Sequence, residues 1–311
     1  MSPLPTTYNA DVKVRVLKPD EVFIKVKASG LCGSDCFIQN GTWPVDYPRI
    51  PGHEVIGRIV ALGSAVELNR LKFSSLVGVG WSGGYCKSCA RCRKGDFAGC
   101  IISQYNGFAS DYGHGGYMYA PETAVIQIPE EAHQTASCAE LAPLLCGGTT
   151  VHGVIRSSDW NPGDIAIVQG IPFSGGLGHL AIQYATKLGP KVYAVSSVSS
   201  KAELAKSLGA VAHVDASTTD VVAYFQALGG AKLHCTACQT HIFNSSCCID
   251  FSFLAGAKSM VKTYSIEQFK EAYEDLVQGK PQFHNVIVFP RVEYIVHCKS
   301  NLNVCLITRG P

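Results

Sequence analysis

Four cysteines, Cys86, Cys89, Cys92 and Cys100, stand in a C-x2-C-x2-C-x7-C pattern. Zinc takes soft thiolates at tetrahedral corners, and gaps this short let one loop supply all four. Two disulfides are the alternative. Cysteines three residues apart rarely reach disulfide geometry, and nothing else in the chain points to an oxidising compartment. The spacing therefore predicts a closed zinc site. Cys32, in Gly30-Leu31-Cys32-Gly33-Ser34-Asp35, and His53, in Gly52-His53-Glu54, are candidate ligands for a second metal. Alone, each is ambiguous, because a cysteine near a strand end is commonly a buried thiol and a lone histidine commonly a hydrogen-bonded one. A third chemical feature is the glycine cluster Gly170, Gly175, Gly176 and Gly178, with Leu177 inside it. Ahead of a helix, such a turn lets backbone N–H groups and the helix dipole meet a pyrophosphate.

These residues need elements to hold them. Val22 to Lys27 alternates as a half-buried strand does, and Val55 to Ala61 repeats the pattern. Short β-segments punctuated by Gly and Pro predict a small barrel-like unit for the first half. In the second half, Asp164 to Val168 is an apolar run bounded by Pro162-Gly163, as expected of a buried parallel strand. A helix through Gln183 to Leu188, a strand at Lys191 to Val195, a helix at Lys201 to Leu208 and β-segments at Val211 to Val214 and Lys232 to Thr236 follow. This rhythm is doubly wound α/β. Near the end, Ser265-Ile266-Glu267-Gln268 reads as a capping box opening a helix with Ile266, Phe269, Tyr273 and Leu276 on one face.

With 311 residues, 47% apolar and 16% charged, the chain has room for two domains and a sizeable core. A formal net charge of +2 gives no case for nucleic acid or an anionic membrane as partner. The N-terminal residues lack a basic flank and an apolar stretch, so no signal peptide is expected, and no apolar run is long enough to span a bilayer. Fourteen cysteines without a secretion signal favour metal ligands and buried thiols, which suggests a cytoplasmic protein.

The four-cysteine lobe resembles the structural-zinc loop of zinc-dependent medium-chain alcohol dehydrogenases. The segments around Cys32 and His53 are similar, in order, to that family's catalytic-zinc segments, and Ala142 to Thr150 matches the third, which makes Cys146 the last ligand. The Cys2His set is taken from the family, not from spacing. The resemblance implies a GroES-like β-barrel catalytic domain at 1–157, completed by 260–290, and a Rossmann dinucleotide-binding domain at 158–249. It implies two Zn2+, one catalytic and one structural, and NADP or NAD as coenzyme. Ser34 would relay the proton, Glu54 would lie close to the metal and Trp43 would line the substrate pocket. Coenzyme contacts are implied at Thr150, Gly170, Gly175, Gly176, Leu177, Gly178, Ser196 and Lys201. The substrate would be an alcohol or aldehyde. Val77-Gly78-Val79-Gly80-Trp81 adds a propanol-preferring look, with cinnamyl-alcohol or polyol dehydrogenases next.

Two departures from the family pattern bear on function. Pro172-Phe173-Ser174 is inserted in the glycine turn. After Thr236, only Ala237 to Cys248 precede the point where resemblance resumes, and they hold Cys238, His241, Cys247 and Cys248 but no strand–helix pattern. Two further strand–helix units, roughly 60 residues, are absent by comparison with a six-strand fold. The expectation is a truncated coenzyme domain, an open strand edge prone to a homo-oligomer, and slow or absent turnover. A non-catalytic zinc-stabilised binding or regulatory protein of the same descent is the alternative. Ser196 to Lys201 offers hydroxyls and a cation where an acidic residue would favour NAD, so NADP is expected. Residues 291–311 have no counterpart; Val292, Tyr294 and Val296 alternate as a strand covering the open edge would.

Overall fold

Alternating apolar residues in the first half become strands that fold back on one another. In a computed structural model of the chain, the residues described are 15–169, 176–235, 245–279 and 283–290, with the backbone of 294–299 and 304–309. Strand β1, Glu21–Gly30, leads into a short helix α1, Asp35–Gln39. Strands β2, Val55–Leu62, β3, Leu76–Val79, β4, Tyr117–Pro121, and β5, Val125–Gln127, follow. Helices α2, Glu130–Thr135, α3, Cys138–Leu141, and α4, Gly147–Ser157, then carry the chain across to the second half.

There the strands are β6, Ile165–Gln169, β7, Lys191–Ser196, β8, Ala212–Asp215, and β9, Leu233–Cys235. The helices between them are α5, Leu177–Leu188, α6, Ala202–Ser207, and α7, Val221–Ala227. Helix α8, Ser245–Ala255, precedes β10, Val261–Ser265, α9, Phe269–Val277, and β11, His284–Val288. The predicted capping box is present: Ser265 and Gln268 exchange side-chain and backbone bonds ahead of α9.

Two sheets organise these elements. The first runs β10-β11-β1-β2-β3-β5, with β4 also on β1. Strand β1 is thus central, which explains why Val22, Phe23, Ile24 and Val26 are all buried. Its register with β2 slips between Phe23 and Ile24 and between Val26 and Ala28, as bulges that bend a curling sheet do. The second sheet is parallel, in the order β8-β7-β6-β9, and is Rossmann-type. A core of Leu145, Ile155, Val168, Leu180, Ile182 and Tyr184 continues into Ile56 and Leu76 of the first sheet, so the two sheets share packing. Each such side chain contributes about 1.5–3 kcal/mol on burial.

Among the described residues β9 pairs only with β6, so the parallel sheet stops at the strand where the sequence expected truncation. Thr236, Cys238 and His241 lie outside the described residues. Helix α8 corrects the expectation of no helix before Ile249, since it already begins at Ser245. Its Ser-Ser-Cys-Cys start carries no apolar periodicity, and Leu254 and Phe253 stay exposed while Cys248 and Ile249 are buried. The tail is also corrected. Strands β12, Tyr294–Lys299, and β13, Val304–Arg309, form a hairpin with each other and join neither larger sheet. Val292 lies outside the described residues.

Candidate active site

The turn between β1 and α1 carries Cys32, the segment entering β2 carries His53 and Glu54, and Cys146 caps α4. Their donor atoms lie within 4.8 Å of one another. The Cys32 and Cys146 sulfurs are 3.9 Å apart. Two thiolates on one tetrahedral zinc at about 2.3 Å would sit about 3.8 Å apart, so the pair fits. His53 is fully buried with neither ring nitrogen hydrogen-bonded, and such a group calls for a ligand. Both cysteines are half-buried, leaving an approach to the cluster. Gly30 is required here because a Cβ would fall 2.0 Å from Glu54 Oε2.

The thiols do not share one acidity. The Cys146 thiol bonded to its sulfur holds the Cys32 pKa well below the usual value, and the same contact, with burial, pushes Cys146 well above it. Burial is the largest influence on His53 and opposes its charge, yet Cys32 and Asp35 together raise its pKa well above normal. Ser34 Oγ lies 3.7 Å from Cys32 Sγ and is half-buried at the N-cap of α1.

Several residues around the cluster were given no role from the sequence. Asp35, 2% exposed, accepts from Cys32 N–H at 2.9 Å and faces His53 Nδ1 at 3.4 Å and His114 Nε2 at 3.3 Å. Burial works against its charge, but the two histidines hold the carboxyl far below the usual range. His284 Nε2 is 2.6 Å from Glu54 Oε2, though out of line for a hydrogen bond. Burial opposes charge on His284, and the Glu54 carboxylate more than offsets it, raising the pKa. Trp81 meets the His53 ring edge-on at 4.8 Å, and Trp43, Phe108 and Tyr105 extend the aromatic wall from there. Of these, the sequence reading named only Trp43; Trp81 it used as a family marker.

The four-cysteine loop also converges, with all sulfurs within 4.8 Å and Cys86 3.9 Å from Cys92. Backbone N–H groups point at sulfur, Cys86 N to Cys100 Sγ at 3.3 Å and Cys89 N to Cys86 Sγ at 3.3 Å. Such donors favour thiolates. The Ser88 hydroxyl and neighbouring N–H groups lower the Cys86 pKa to about 6, whereas burial pushes Cys92 up to about 12. Sulfur separations near 3.9 Å exclude disulfides here, and the described cysteines are free.

On the coenzyme side, Gly176 precedes α5 and Leu177 and Gly178 open it. A Cβ on Gly176 would fall 2.3 Å from His284 Nδ1. His284 therefore sits between the glycine turn and Glu54. Gly170, Gly175 and the inserted Pro172-Phe173-Ser174 lie outside the described residues. Thr150 is buried one turn beyond Cys146, whose carbonyl accepts its N–H. Ser196 ends β7 with its hydroxyl 2.8 Å from His213 Nε2, a partner on β8 that the sequence reading missed. Burial lowers the Lys201 pKa.

Residues 18–130 match the alcohol dehydrogenase GroES-like domain and residues 176–247 the zinc-binding dehydrogenase domain. The chain belongs to the zinc-dependent medium-chain alcohol dehydrogenase family. It is 40% identical over 223 residues to the alcohol dehydrogenase patD of Penicillium expansum, covering 72% of this chain and 63% of that protein. The chain thus spans less than two thirds of that relative's length. Similarity to alcohol dehydrogenase notN of Aspergillus sp. is 29% over 323 residues, with 89% and 93% covered. That span exceeds the 311 residues of this chain, so the chain lacks positions its relative has. CAD from Helicobacter pylori complexed with NADP(H) shares the fold at TM-score 0.72 and 22% identity, with 88% and 91% covered. Among the described residues no single helix is long and apolar enough to cross a membrane.

Proposed function

We propose that the chain is an oxidoreductase that transfers a hydride between a small-molecule alcohol or aldehyde and a nicotinamide coenzyme. One observation carries the reading: two thiols and a buried imidazole whose Nε2 has no hydrogen-bond partner converge in a half-open cluster beside a hydroxyl, with the Cys32 and Cys146 sulfurs 3.9 Å apart. Zinc held by Cys32, His53 and Cys146 would supply a Lewis acid that lowers an alcohol O–H pKa or polarises a carbonyl. Ser34 accepts the alcohol proton from its position beside Cys32 and passes it towards solvent. Glu54 gives the pocket its negative charge, held in place by His284. Trp43, Trp81 and Phe108 exclude water and line the substrate side. The loop of Cys86, Cys89, Cys92 and Cys100 holds a second, structural zinc.

The glycine turn, Gly170 and Gly175 to Gly178 with Leu177, would receive the coenzyme diphosphate, with Thr150 as a further coenzyme contact. Ser196 and Lys201 meet the ribose. No acidic side chain ends β7, so NADP is favoured over NAD, as expected from the sequence. We place the catalytic unit at 1–157 with 260–290 returning to it, and the coenzyme unit at 158–249. A purely regulatory role has less support, because it gives no reason to keep an open ligand set. The test is to assay zinc-loaded protein on several primary alcohols with both coenzymes. Alcohol-dependent coenzyme reduction that disappears in Cys146→Ala is expected. Zinc-loaded, coenzyme-binding protein that reduces no coenzyme with any alcohol would reject the proposal.

A further inference from the structure

The buried polar groups around His53 extend further from the cluster than the proposed chemistry uses. Asp35 is a carboxylate at 2% exposure, and such a charge needs several donors. Cys32 N–H supplies one at 2.9 Å. The other two directions face His53 Nδ1 at 3.4 Å and His114 Nε2 at 3.3 Å. His114, 8% exposed, has Ser29 Oγ 2.9 Å from its Nδ1, and Ser29 is fully buried in β1. If His114 Nε2–H donates to Asp35, its Nδ1 accepts from the Ser29 hydroxyl. Both ring nitrogens are then satisfied without solvent.

The backbone is built around the same ring. Tyr112 N–H donates to Ile50 O at 2.9 Å, and His114 N–H to Pro51 O at 3.0 Å, strapping the His114 segment onto the loop that carries His53. Gly52, at φ +107, leaves the space: a Cβ there would lie 2.8 Å from His114 N and 2.9 Å from its Nδ1. Phe269 meets the ring edge-on at 5.3 Å from the other side.

We propose that His114 is a positioning residue for the metal site, anchored by Ser29 and acting through Asp35 on the ring of His53. The inference rests on reading Cys32, His53 and Cys146 as metal ligands. A fixed carboxylate at Nδ1 sets the tautomer and leaves Nε2 for the metal, and loss of such outer partners typically weakens metal binding by about 10–100-fold.

Chelator-competition titration of the full chain with zinc, repeated with cobalt to separate two-thiolate from four-thiolate spectra, tests this. His114→Ala should weaken the Cys32/His53/Cys146 site by about 10–100-fold and change its cobalt spectrum, with the four-cysteine site unchanged as internal control. His114→Gln keeps a donor towards Asp35 and should recover most of the affinity. Ser29→Ala, a smaller change in case His114→Ala does not fold, should weaken the same site alone. Unaltered affinity in His114→Ala, or in Ser29→Ala where the first is insoluble, would overturn the proposal. So would equal weakening of both sites with a lower unfolding midpoint. Wild-type protein that binds metal only at the four-cysteine loop would instead remove the underlying reading.

Discussion

Replacing Gly176 by alanine tests the junction between the coenzyme turn and the metal site. At φ −137 the backbone of Gly176 admits any L-residue, so the cost comes from contact alone. The added Cβ would lie 2.3 Å from His284 Nδ1 and 3.1 Å from its Cε1. His284 has little room to yield, being 6% exposed with its Nε2 2.6 Å from Glu54 Oε2. Overpacking of this kind costs about 1–3 kcal/mol. Reduced freedom of the unfolded chain returns about 0.4–1 kcal/mol, leaving a net loss of up to about 2.6 kcal/mol. Urea unfolding of Gly176→Ala, His284→Ala and the double variant closes a mutant cycle. His284→Ala opens the space the methyl needs, so the cost of Gly176→Ala should nearly vanish in that background, a coupling of at least about 1 kcal/mol. An equal cost in both backgrounds would refute the contact and its part in holding His284.

Other outcomes follow from the same geometry. Cys89→Ser should lose one zinc and keep most of the other, read by elemental analysis; unchanged zinc would contradict the loop assignment. Ser34→Ala should lower alcohol oxidation by about 10²–10⁴-fold with metal retained, the range for a positioned proton-transfer group; full activity would remove Ser34 from the relay. His179 is held neutral, its pKa lowered to about 3 mainly by burial and further by His284, while its Nε2 accepts Met260 N–H at 3.0 Å. The unfolded chain therefore takes up this proton first. The stability it gives is complete above about pH 6.5 and is lost as pH falls towards 3, by up to about 1.4 kcal/mol per unit. His179→Gln should flatten that acid limb in urea titrations, and an unchanged slope would contradict it. Turnover should fall below about 1 per second, the low end for ordinary enzymes, because the parallel sheet ends at β9; a rate well inside that range would show the short sheet is tolerated.

Much of the architecture was legible because it depends on local pattern. The alternation in Val22 to Lys27, the apolar run before the glycine turn and the Ser265–Gln268 capping box each became the element expected. Cys32, His53 and Cys146 were also brought together, although 114 positions separate the two cysteines. That step came from resemblance, since spacing alone cannot join distant loops. The groups that surround the ligands were not legible. Asp35 lay inside the Cys32 segment but was given no role, and His114 and His284 sit in segments with no motif. Their roles arise only when β1, the His53 loop and β11 pack against one another. Helix α8 was hidden for a different reason: it is apolar on most sides, so it has no periodic face to read.

The central claim is that Cys32, His53 and Cys146 form a metal centre that carries alcohol chemistry. Zinc content and alcohol-dependent coenzyme reduction, measured on the same samples of intact chain and Cys146→Ala, test it most directly. The account predicts two zinc ions per intact chain, one per Cys146→Ala chain, and oxidation only in the former. Two zinc ions retained in Cys146→Ala, with undiminished oxidation, would contradict it.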